Sequence, residues 1–237
     1  MSKKFVLIDG RAEKYISEPL KALGYEVLSL PPFDKLDTPV AAHPDMLVWI
    51  YEKKIITHAE YYPLARSVFE KLEKSGYEIV LSEQIISKKY PSDVPLNCAL
   101  VGNFLIANIA ALPPLIANVA KENQISVLHV NQGYAKCSTL IVDDNSVITA
   151  DASIAKACSS VGIDVLSISE GNIRLDGYGY GFIGGCGGVD ESRIFFAGDP
   201  MLHPDGNAII DFCEKHGKQI TVLSDMPLLD VGSLFFV

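Results

Sequence analysis

The sequence predicts an α/β fold in which five ββαβ units form a pseudo-symmetric ring, and three observations support this prediction. First, residues 137–169 follow the order strand, turn, strand, helix and strand, and the same order fits the rest of the chain. Second, the five inner strands end at polar residues spaced about 43 to 50 positions apart, as expected of a repeat architecture. These strand ends are Asp9, His58, Asn108, Asp151 and Asp199. Third, residues 230–237 have the pattern of an opening strand with no unit after it, and the first unit lacks that strand.

The ring is therefore predicted to close on its C-terminal strand, and we expect a single domain over residues 1–237. Helix–strand alternation alone also suits an open, doubly wound sheet of the Rossmann type. The hairpin that opens each unit and the closing strand at the C-terminus favour the ring.

The first unit illustrates how the elements are predicted. Residues 5–10 form an apolar inner strand. Residues 12–23 form a helix, because Tyr15, Ile16, Leu20 and Leu23 recur at helical spacing on one face. Gly24 ends this helix, and residues 26–30 form the next strand.

The other four units repeat this order, each with a polar or glycine-containing turn in its hairpin. The predicted hairpin strands are 46–51 with 55–58, 98–101 with 104–108, the two strands within 137–151, and 186–189 with 193–199. The predicted helices are 59–74, 114–121, a short helix after Asp151, and 207–215. The predicted third strands are 78–82, 126–130, one that ends near Ser169, and 220–224.

Composition and charge narrow the class of protein. Hydrophobic residues make up 49% of the 237 residues, which is enough for a packed core. The net charge of −9 and the absence of a long basic run argue against nucleic acid or an anionic membrane as a partner. Residues 94–120 carry no charge, but their asparagines, the pair Pro113-Pro114 and a Gly102-Asn103 turn predict a buried hairpin and helix, not a membrane span.

The five cysteines are scattered, which indicates reduced thiols in a cytoplasm and not a disulfide framework. The sequence has no Cys-x-x-Cys or His-x-x-x-His pair, so we predict no metal site. It has no Gly-x-Gly-x-x-Gly between a strand and a helix and no Gly-Lys-Ser/Thr, so we predict no nucleotide cofactor. The apolar run at the N-terminus is too short for a signal peptide, which also indicates a cytoplasmic protein.

Topology directs the search for a site to one pole of the ring. The inner and third strands of a unit run parallel, so both end at the pole where the next opening strand begins. Open α/β sheets bind ligands at the carboxyl ends of their strands, although polar strand ends are also typical of ordinary turns. The residues predicted to bind a ligand at this pole are His43, Asp45, Asn131, Lys136, Ser138, Arg174, Cys186, Asp230 and Ser233.

Residues 131–139 contain the main candidate nucleophile. Cys137 lies between Lys136 and Ser138, and a neighbouring ammonium group can lower the pKa of a thiol. A free cysteine that enters a buried strand is often only a small hydrophobic residue. Both roles stay open for Cys137, and equally for Cys186.

A glycine-rich segment forms the second candidate loop. Eight glycines lie within residues 170–188, so the backbone there can approach a ligand closely. Arg174 and Asp176 can bind a carboxylate and a cation respectively, or can pair with each other. His43 is predicted to face the site, whereas His203 precedes a helix that Asp205 can cap and is assigned to structure.

A ring of five ββαβ units closed by the C-terminus resembles the pentein fold. That fold is shared by guanidino-group-modifying enzymes (arginine and agmatine deiminases, amidinotransferases and dimethylarginine hydrolases) and by the ribosome anti-association factor. Residues 132–139 and 230–233 are similar to an uncharacterised bacterial branch of this superfamily.

The resemblance implies a nucleophilic cysteine in the closing segment and a histidine in a His-Leu-Asp-like motif of the fourth unit. Residues 230–237 contain no cysteine, and the nearest match to the motif is Arg174-Leu175-Asp176. Only the acidic residue, Asp176, is carried across as a catalytic candidate.

Three hypotheses follow. The preferred one is a pentein-fold protein that binds a small amino-acid-like or guanidino ligand and lacks the Cys/His catalytic groups; Asp45, Asp176 and Asp230 would attract the cation, and Arg174 or Lys136 a carboxylate. The second is a C–N bond hydrolase or amidino-transfer enzyme with a relocated nucleophile, Cys137 or Cys186. The third is a non-enzymatic interaction module like the anti-association factor.

Overall fold

The computed structural model describes residues 4–237, and within them fifteen strands form five three-stranded sheets. In each sheet an inner strand pairs antiparallel with an opening strand and parallel with a third strand. The five ββαβ units that the sequence predicts are therefore confirmed.

The elements of the five units have the following bounds. The inner strands are β1 (Phe5–Asp9), β4 (Lys54–His58), β7 (Phe104–Ala107), β10 (Ser146–Thr149) and β13 (Arg193–Phe196). The opening strands are β15 (Phe235–Phe236), β3 (Val48–Tyr51), β6 (Ala99–Val101), β9 (Leu140–Asp143) and β12 (Gly187–Asp190). The third strands are β2 (Glu26–Leu30), β5 (Glu78–Ser82), β8 (Ser126–His129), β11 (Asp164–Ser167) and β14 (Gln219–Val222). The helices between inner and third strands are α1 (Glu13–Ala22), α3 (Arg66–Lys74), α4 (Pro114–Glu122), α5 (Ala152–Ser160) and α6 (Gly206–Lys215). A one-turn helix, α2 (Pro44–Leu47), precedes β3.

The ring closes where the C-terminus meets the first unit. The backbone N–H of Phe5 donates to the carbonyl of Val237, and the N–H of Val237 donates back to Phe5, both at 3.0 Å. The rings of Tyr25, Phe195 and Phe236 pack together with centroid distances of 4.5 to 5.6 Å. The first and fifth units therefore share a core, and the predicted closure by the C-terminal strand is confirmed.

Several elements are shorter than the sequence predicts, most clearly α3 and the closing strand. Helix α3 begins at Arg66 and not at residue 59, because residues 59–65 form successive turns around Pro63, which has no N–H to donate to a helix. The closing strand covers only Phe235–Phe236. Gly232 and Ser233 have φ angles of +68° and +72°, so the chain turns there and pairs with β1 only afterwards.

Several predicted opening strands also begin later than expected. Asp45 lies in α2, and the strand itself starts at Val48. Cys137 and Cys186 likewise precede β9 and β12 and belong to the connections before them. These connections carry most of the polar residues discussed below.

Residues 94–120 form the predicted hairpin, β6 and β7, and most of α4. Leu105, Ile106 and Ile116 are fully buried there, which explains the long uncharged stretch. Across residues 4–237 we find no helix with the length and apolar character needed to cross a membrane.

Candidate functional site

Four connections that lead into opening strands, before β3, β6, β9 and β15, bring buried polar side chains together at one pole of the ring. Each of these side chains belongs to a residue that is at most 8% exposed. Burying polar groups is unfavourable unless they bind one another or a ligand, so their contacts define the candidate site. The residues are His43, Asp45, Asn97, Lys136, Cys137, Asp230 and Ser233.

Asn97 is the centre of this buried network. Its Oδ1 accepts hydrogen bonds from the backbone N–H groups of Lys136 (2.7 Å) and Cys137 (3.1 Å). Its Nδ2 donates to the carbonyl oxygen of Asp45 (3.1 Å) and lies 2.9 Å from the sulfur of Cys137. One side chain therefore holds together the connections before β3, β6 and β9.

The carboxyl group of Asp45 continues the network. The thiol of Cys137 donates to Oδ1 at 3.2 Å, and the hydroxyl of Ser233 donates to Oδ2 at 2.7 Å. Lys136 donates from Nζ to Oγ of Ser233 at 2.8 Å. The closing segment is thus tied to the second and fourth units by buried hydrogen bonds.

His43 lies between two carboxyl groups. Its Nε2 is 3.8 Å from Oδ2 of Asp9, and its Nδ1 is 3.7 Å from Oδ1 of Asp230; both distances exceed those of hydrogen bonds. Asp9 is instead paired with Arg11, whose Nη2 is 2.5 Å from Oδ2. Nδ1 of His43 has no hydrogen-bond partner although the residue is only 1% exposed. A buried polar atom without a partner is rare in proteins, so this nitrogen is available to a ligand.

A cavity of about 240 Å³ lies beside this network. Its polar lining comes from His43, Cys137 and Asp230. Most of the remaining lining is aromatic and consists of Tyr134, Tyr178, Tyr180 and Phe182. We call this space the aromatic cavity.

The rings that line the aromatic cavity are held in place. The hydroxyl groups of Tyr134 and Tyr178 donate to carboxyl groups of neighbouring loops. The rings of Tyr134 and Tyr180 each pack against Phe182 with centroids 6.2 Å apart. The aromatic faces are therefore positioned before any ligand enters.

Two glycines allow the acidic and basic groups of the site to approach the backbone. A Cβ atom on Gly185 would overlap the carboxyl group of Asp230, and one on Gly232 would overlap the side chain of His43. Asp230 also accepts from the backbone N–H of Phe182 at 2.8 Å and of Gly232 at 3.0 Å. The glycine-rich segment thus wraps closely around the carboxyl group of Asp230.

Burial shifts the pKa of three groups in the site. It raises the pKa of the Cys137 thiol well above its ordinary value, and the carboxyl groups of Asp45 and Asp230 add to this effect. Burial also raises the pKa of Asp230 and lowers the pKa of Lys136. The thiol of Cys137 is therefore protonated at neutral pH, and the expectation that Lys136 lowers its pKa is wrong.

The structure brings six of the predicted site residues into the network described above, namely His43, Asp45, Lys136, Cys137, Asp230 and Ser233. Cys186 is not among them. It is fully buried in a hydrophobic cluster, with its sulfur 3.3 Å from the carbonyl of Phe182. Asn131 is exposed, and its carbonyl oxygen accepts from Asn108. Neither Cys186 nor Asn131 lines the aromatic cavity.

Arg174 and Asp176 pair with each other at the surface. Nε of Arg174 is 2.8 Å from Oδ1 of Asp176, and both side chains are exposed. They line a neighbouring cavity of about 230 Å³ together with Asp9, Arg11 and His43. Of the two interpretations given for this pair, the ion pair is the one observed.

Asp9, Asn97 and the aromatic residues of the cavity lie in the site but are not among the predicted site residues. A signal for the rings does exist, since Tyr178, Tyr180 and Phe182 alternate with glycine and so project from a segment that can bend closely. No comparable signal exists for Asn97, because a single asparagine in an apolar connection is common.

Two further observations bear on where the site lies. Within the part of the chain that the structure describes, no group of three His, Cys, Asp or Glu side chains is arranged to hold a metal ion. A larger groove, of about 430 Å³, lies at the amino end of β1, where the hydroxyl of Tyr25 donates to Asp190. We place the site at the other pole, because the buried polar network and the unpartnered nitrogen of His43 are there.

Cys137 should react slowly with iodoacetamide in the folded protein. Alkylation requires the thiolate, and here the residue is 2% exposed and burial raises the pKa of its thiol. Peptide mass spectrometry after brief treatment at neutral pH should find Cys137 unmodified, whereas the urea-unfolded chain should be labelled at all five cysteines. Faster labelling of Cys137 in the folded than in the unfolded protein would contradict this expectation and restore Cys137 as a candidate nucleophile.

Comparison with solved structures shows which class of protein has this fold. A dimethylarginine dimethylaminohydrolase adduct with S-methyl-L-thiocitrulline matches with a TM-score of 0.59 at 11% identity over 94% of this chain and 93% of that one. The Pseudomonas aeruginosa dimethylarginine dimethylaminohydrolase with citrulline matches with a TM-score of 0.55 at 10% identity, over 94% and 93%. An amidinotransferase of the saxitoxin pathway from Microseira wollei matches with a TM-score of 0.54 at 12% identity, over 94% and 89%. The protein therefore has the pentein fold of the guanidino-modifying enzymes.

The sequence itself places the chain in a narrower group. The model of a family of unknown function (DUF6873) matches residues 7–235, so the chain belongs to that family. No curated protein matches the sequence.

Proposed function

We propose that this protein binds a small organic cation, a guanidinium or ammonium compound of amino-acid-like size, in the aromatic cavity. One observation carries the proposal: four aromatic side chains and the carboxyl group of Asp230 line the same cavity of about 240 Å³. At about 240 Å³ the cavity is smaller than the roughly 300 to 1,000 Å³ of typical drug-sized ligand sites, which suits a ligand smaller than those.

The chemistry of the lining matches a cation. Aromatic faces attract positive charge, and guanidinium and substituted ammonium groups bind well between such rings. Asp230 supplies a carboxyl group that is 3% exposed and already fixed by two backbone N–H donors. A charge-assisted hydrogen bond from a guanidinium to such a group is stronger than one between neutral partners.

The solved structures of similar fold support a ligand of this chemical class. One carries citrulline and another an adduct with S-methyl-L-thiocitrulline, both small amino acids with a planar group at the end of the side chain. At 10% to 11% identity these relatives do not assign a reaction. The ligand class proposed for this protein therefore rests mainly on its own cavity.

Binding, rather than thiol catalysis, is the activity that the contacts favour. A cysteine nucleophile is activated when its thiolate is stabilised, by a lowered pKa or by a base that takes up its proton. The carboxyl group of Asp45 accepts a hydrogen bond from the thiol of Cys137, but burial and the negative charge of that same carboxyl group raise the pKa of the thiol and oppose the thiolate. The thiol of Cys186 also has a pKa well above its ordinary value because it is buried. We therefore prefer a binding protein to an enzyme with a relocated cysteine.

We further propose that the protein works in a reducing cytoplasm, with neither nucleic acid nor membrane as its partner. All five cysteines are free and buried, and the net charge is −9. Free thiols are typical of reducing compartments.

Calorimetric titration with butylguanidine and butylurea tests the proposal, because the two compounds differ mainly in charge. We expect butylguanidine to bind and the neutral urea to bind far more weakly. Tyr180→Ala should weaken butylguanidine about fivefold to tenfold by removing one cation–π partner; the residue is 44% exposed, so folding should persist. Tyr51→Ala, in the second unit, is the matched control. Equal binding of both compounds, or none, would overturn the proposal.

A further inference from the structure

The ring walls of the aromatic cavity stand at different angles. The ring of Tyr180 is at 87° to the ring of Phe182, whereas the ring of Tyr134 is tilted by 30° from Phe182; both pairs have centroids 6.2 Å apart. A planar guanidinium stacks flat on one aromatic face, and it cannot lie parallel to two perpendicular rings. A tetrahedral cation presents a similar surface in every direction, so it can contact both walls at once.

The side chains that a ligand can reach in this cavity are mainly aromatic. Tyr178 and Tyr180 are each 44% exposed, and Tyr134 and Phe182 are half-buried. The other polar side chains of the lining are at most 3% exposed, and they are His43, Cys137 and Asp230. The surface that the protein offers to a ligand therefore consists mostly of ring faces.

A lining of this kind distinguishes cations by their N–H groups. An alkylguanidinium carries five N–H donors, and the carboxyl group of Asp230, whose side chain is 1% exposed, can accept only some of them. Donors that face the rings lose their hydrogen bonds to water, which costs free energy. A trimethylammonium group has no N–H donor, so it enters the same lining without that cost.

Negative charge adjoins the rings without depending on donors from the ligand. The hydroxyl of Tyr134 donates to Asp93, and the hydroxyl of Tyr178 donates to Asp37 at 3.0 Å. A hydrogen bond to a carboxylate polarises the phenol group, which makes the ring face more negative. Together with Asp230, these carboxyl groups attract any cation by charge alone.

We propose that the head group bound in the aromatic cavity is a quaternary ammonium group, a trimethylammonium on a short chain, and not a guanidinium. The methyl groups would lie between the perpendicular rings of Tyr180 and Phe182, and Asp230 would attract the positive charge. Aromatic cages are the usual sites for quaternary ammonium ligands in proteins. This inference rests on the proposed function, and it deepens that function by naming the class of cation.

The test compares three cations that share a butyl chain and differ only in the head group, namely butyltrimethylammonium, butylguanidine and butylammonium. Calorimetric titration of the native protein should give roughly tenfold tighter binding of butyltrimethylammonium than of either other compound. Butylammonium is the control for charge, because it carries the same charge with three N–H donors and no methyl group on nitrogen.

Substitution of Tyr180 tests where the head group lies. Tyr180→Leu keeps an apolar side chain and removes the aromatic face, so it should weaken butyltrimethylammonium about tenfold. Tyr180→Phe keeps the face and should leave the affinity within about threefold of the native value. The exposure of Tyr180 means that both variants should fold, which circular dichroism can check. Tyr51→Leu, in the second unit, is the matched control and should leave the affinity unchanged.

The outcomes separate the two proposals. If butylguanidine binds and butyltrimethylammonium binds no more tightly, the quaternary ammonium site is refuted and the proposed cation site stands. If butyltrimethylammonium is preferred but binds Tyr180→Leu as tightly as the native protein, the methyl groups do not lie against this ring and the inference is again refuted. If none of the three cations binds, the proposed function fails and the inference fails with it.

Discussion

Replacing Asp230 by asparagine should weaken binding of butylguanidine about thirtyfold. The carboxyl group is the acidic group in the lining of the aromatic cavity, and a hydrogen bond to a charged group contributes about 2 kcal/mol, where 1.4 kcal/mol is tenfold in affinity. Calorimetric titration measures the change directly. Asparagine has the same shape as aspartate and keeps one oxygen to accept from the N–H of Phe182 or Gly232, so the fold should persist, which circular dichroism can check.

Two controls make the Asp230 result specific. Asp211→Asn removes one negative charge from the exposed face of α6, and it should leave the affinity within twofold of the native value. Butylurea carries no charge, so its weak binding should be the same in the native protein and in Asp230→Asn. An Asp230→Asn protein that is folded and binds butylguanidine as tightly as the native protein would rule out this carboxyl group as the cation partner.

The same carboxyl group should make binding depend on pH. A guanidinium stays charged throughout the acidic range. The affinity for butylguanidine should therefore be highest while Asp230 is ionised, and should fall as the pH decreases through the pKa of Asp230. Burial raises that pKa, so the loss should begin above the pH at which an exposed aspartate titrates, about 3.9. His43 and Asp45 face the same region and are present in both the native protein and Asp230→Asn. The deciding quantity is therefore the difference between the pH profiles of the two proteins.

Local sequence signals account for most of the fold. Alternating hydrophobic strands, glycine at Gly24 after the first helix and a hairpin turn in each unit are enough to predict five ββαβ units and their order. The incorrect predictions concern where strands and helices begin and end. The strand after Asp230 is short because Gly232 and Ser233 adopt positive φ. Glycine is the usual residue at positive φ, so the serine at position 233 gives no sign in the sequence that the chain turns there.

The chemistry of Cys137 shows why the site is harder to predict than the fold. Lys136 is its neighbour in sequence, yet Nζ of Lys136 binds Ser233 and does not contact the thiol. The group that does contact the thiol is Asp45, which is 92 residues away in the chain. A lysine would have lowered the pKa of the thiol, whereas burial and the carboxyl group of Asp45 raise it. The direction of the pKa shift of Cys137 is therefore set by a contact that exists only in the folded chain.

Replacing Asn97 by alanine should cause the largest loss of stability among single changes at this pole. The side chain satisfies the backbone N–H groups of Lys136 and Cys137 and the carbonyl of Asp45, all of them buried. Each buried backbone group left without a partner costs roughly 1 to 3 kcal/mol. We expect the free energy of unfolding, measured by urea titration, to fall by about 4 kcal/mol, which is a large part of the 5 to 15 kcal/mol typical of a domain.

Asn118→Ala is the matched control for Asn97→Ala. Asn118 is exposed on α4, where alanine is the better helix former, so stability should change by no more than about 0.5 kcal/mol. Because Asn97 joins the connections before β3, β6 and β9, its loss should also release the restraint on Cys137, and iodoacetamide should then label that thiol faster. Equal urea midpoints for the two variants, with Cys137 still unlabelled, would mean that the buried network is not held by Asn97.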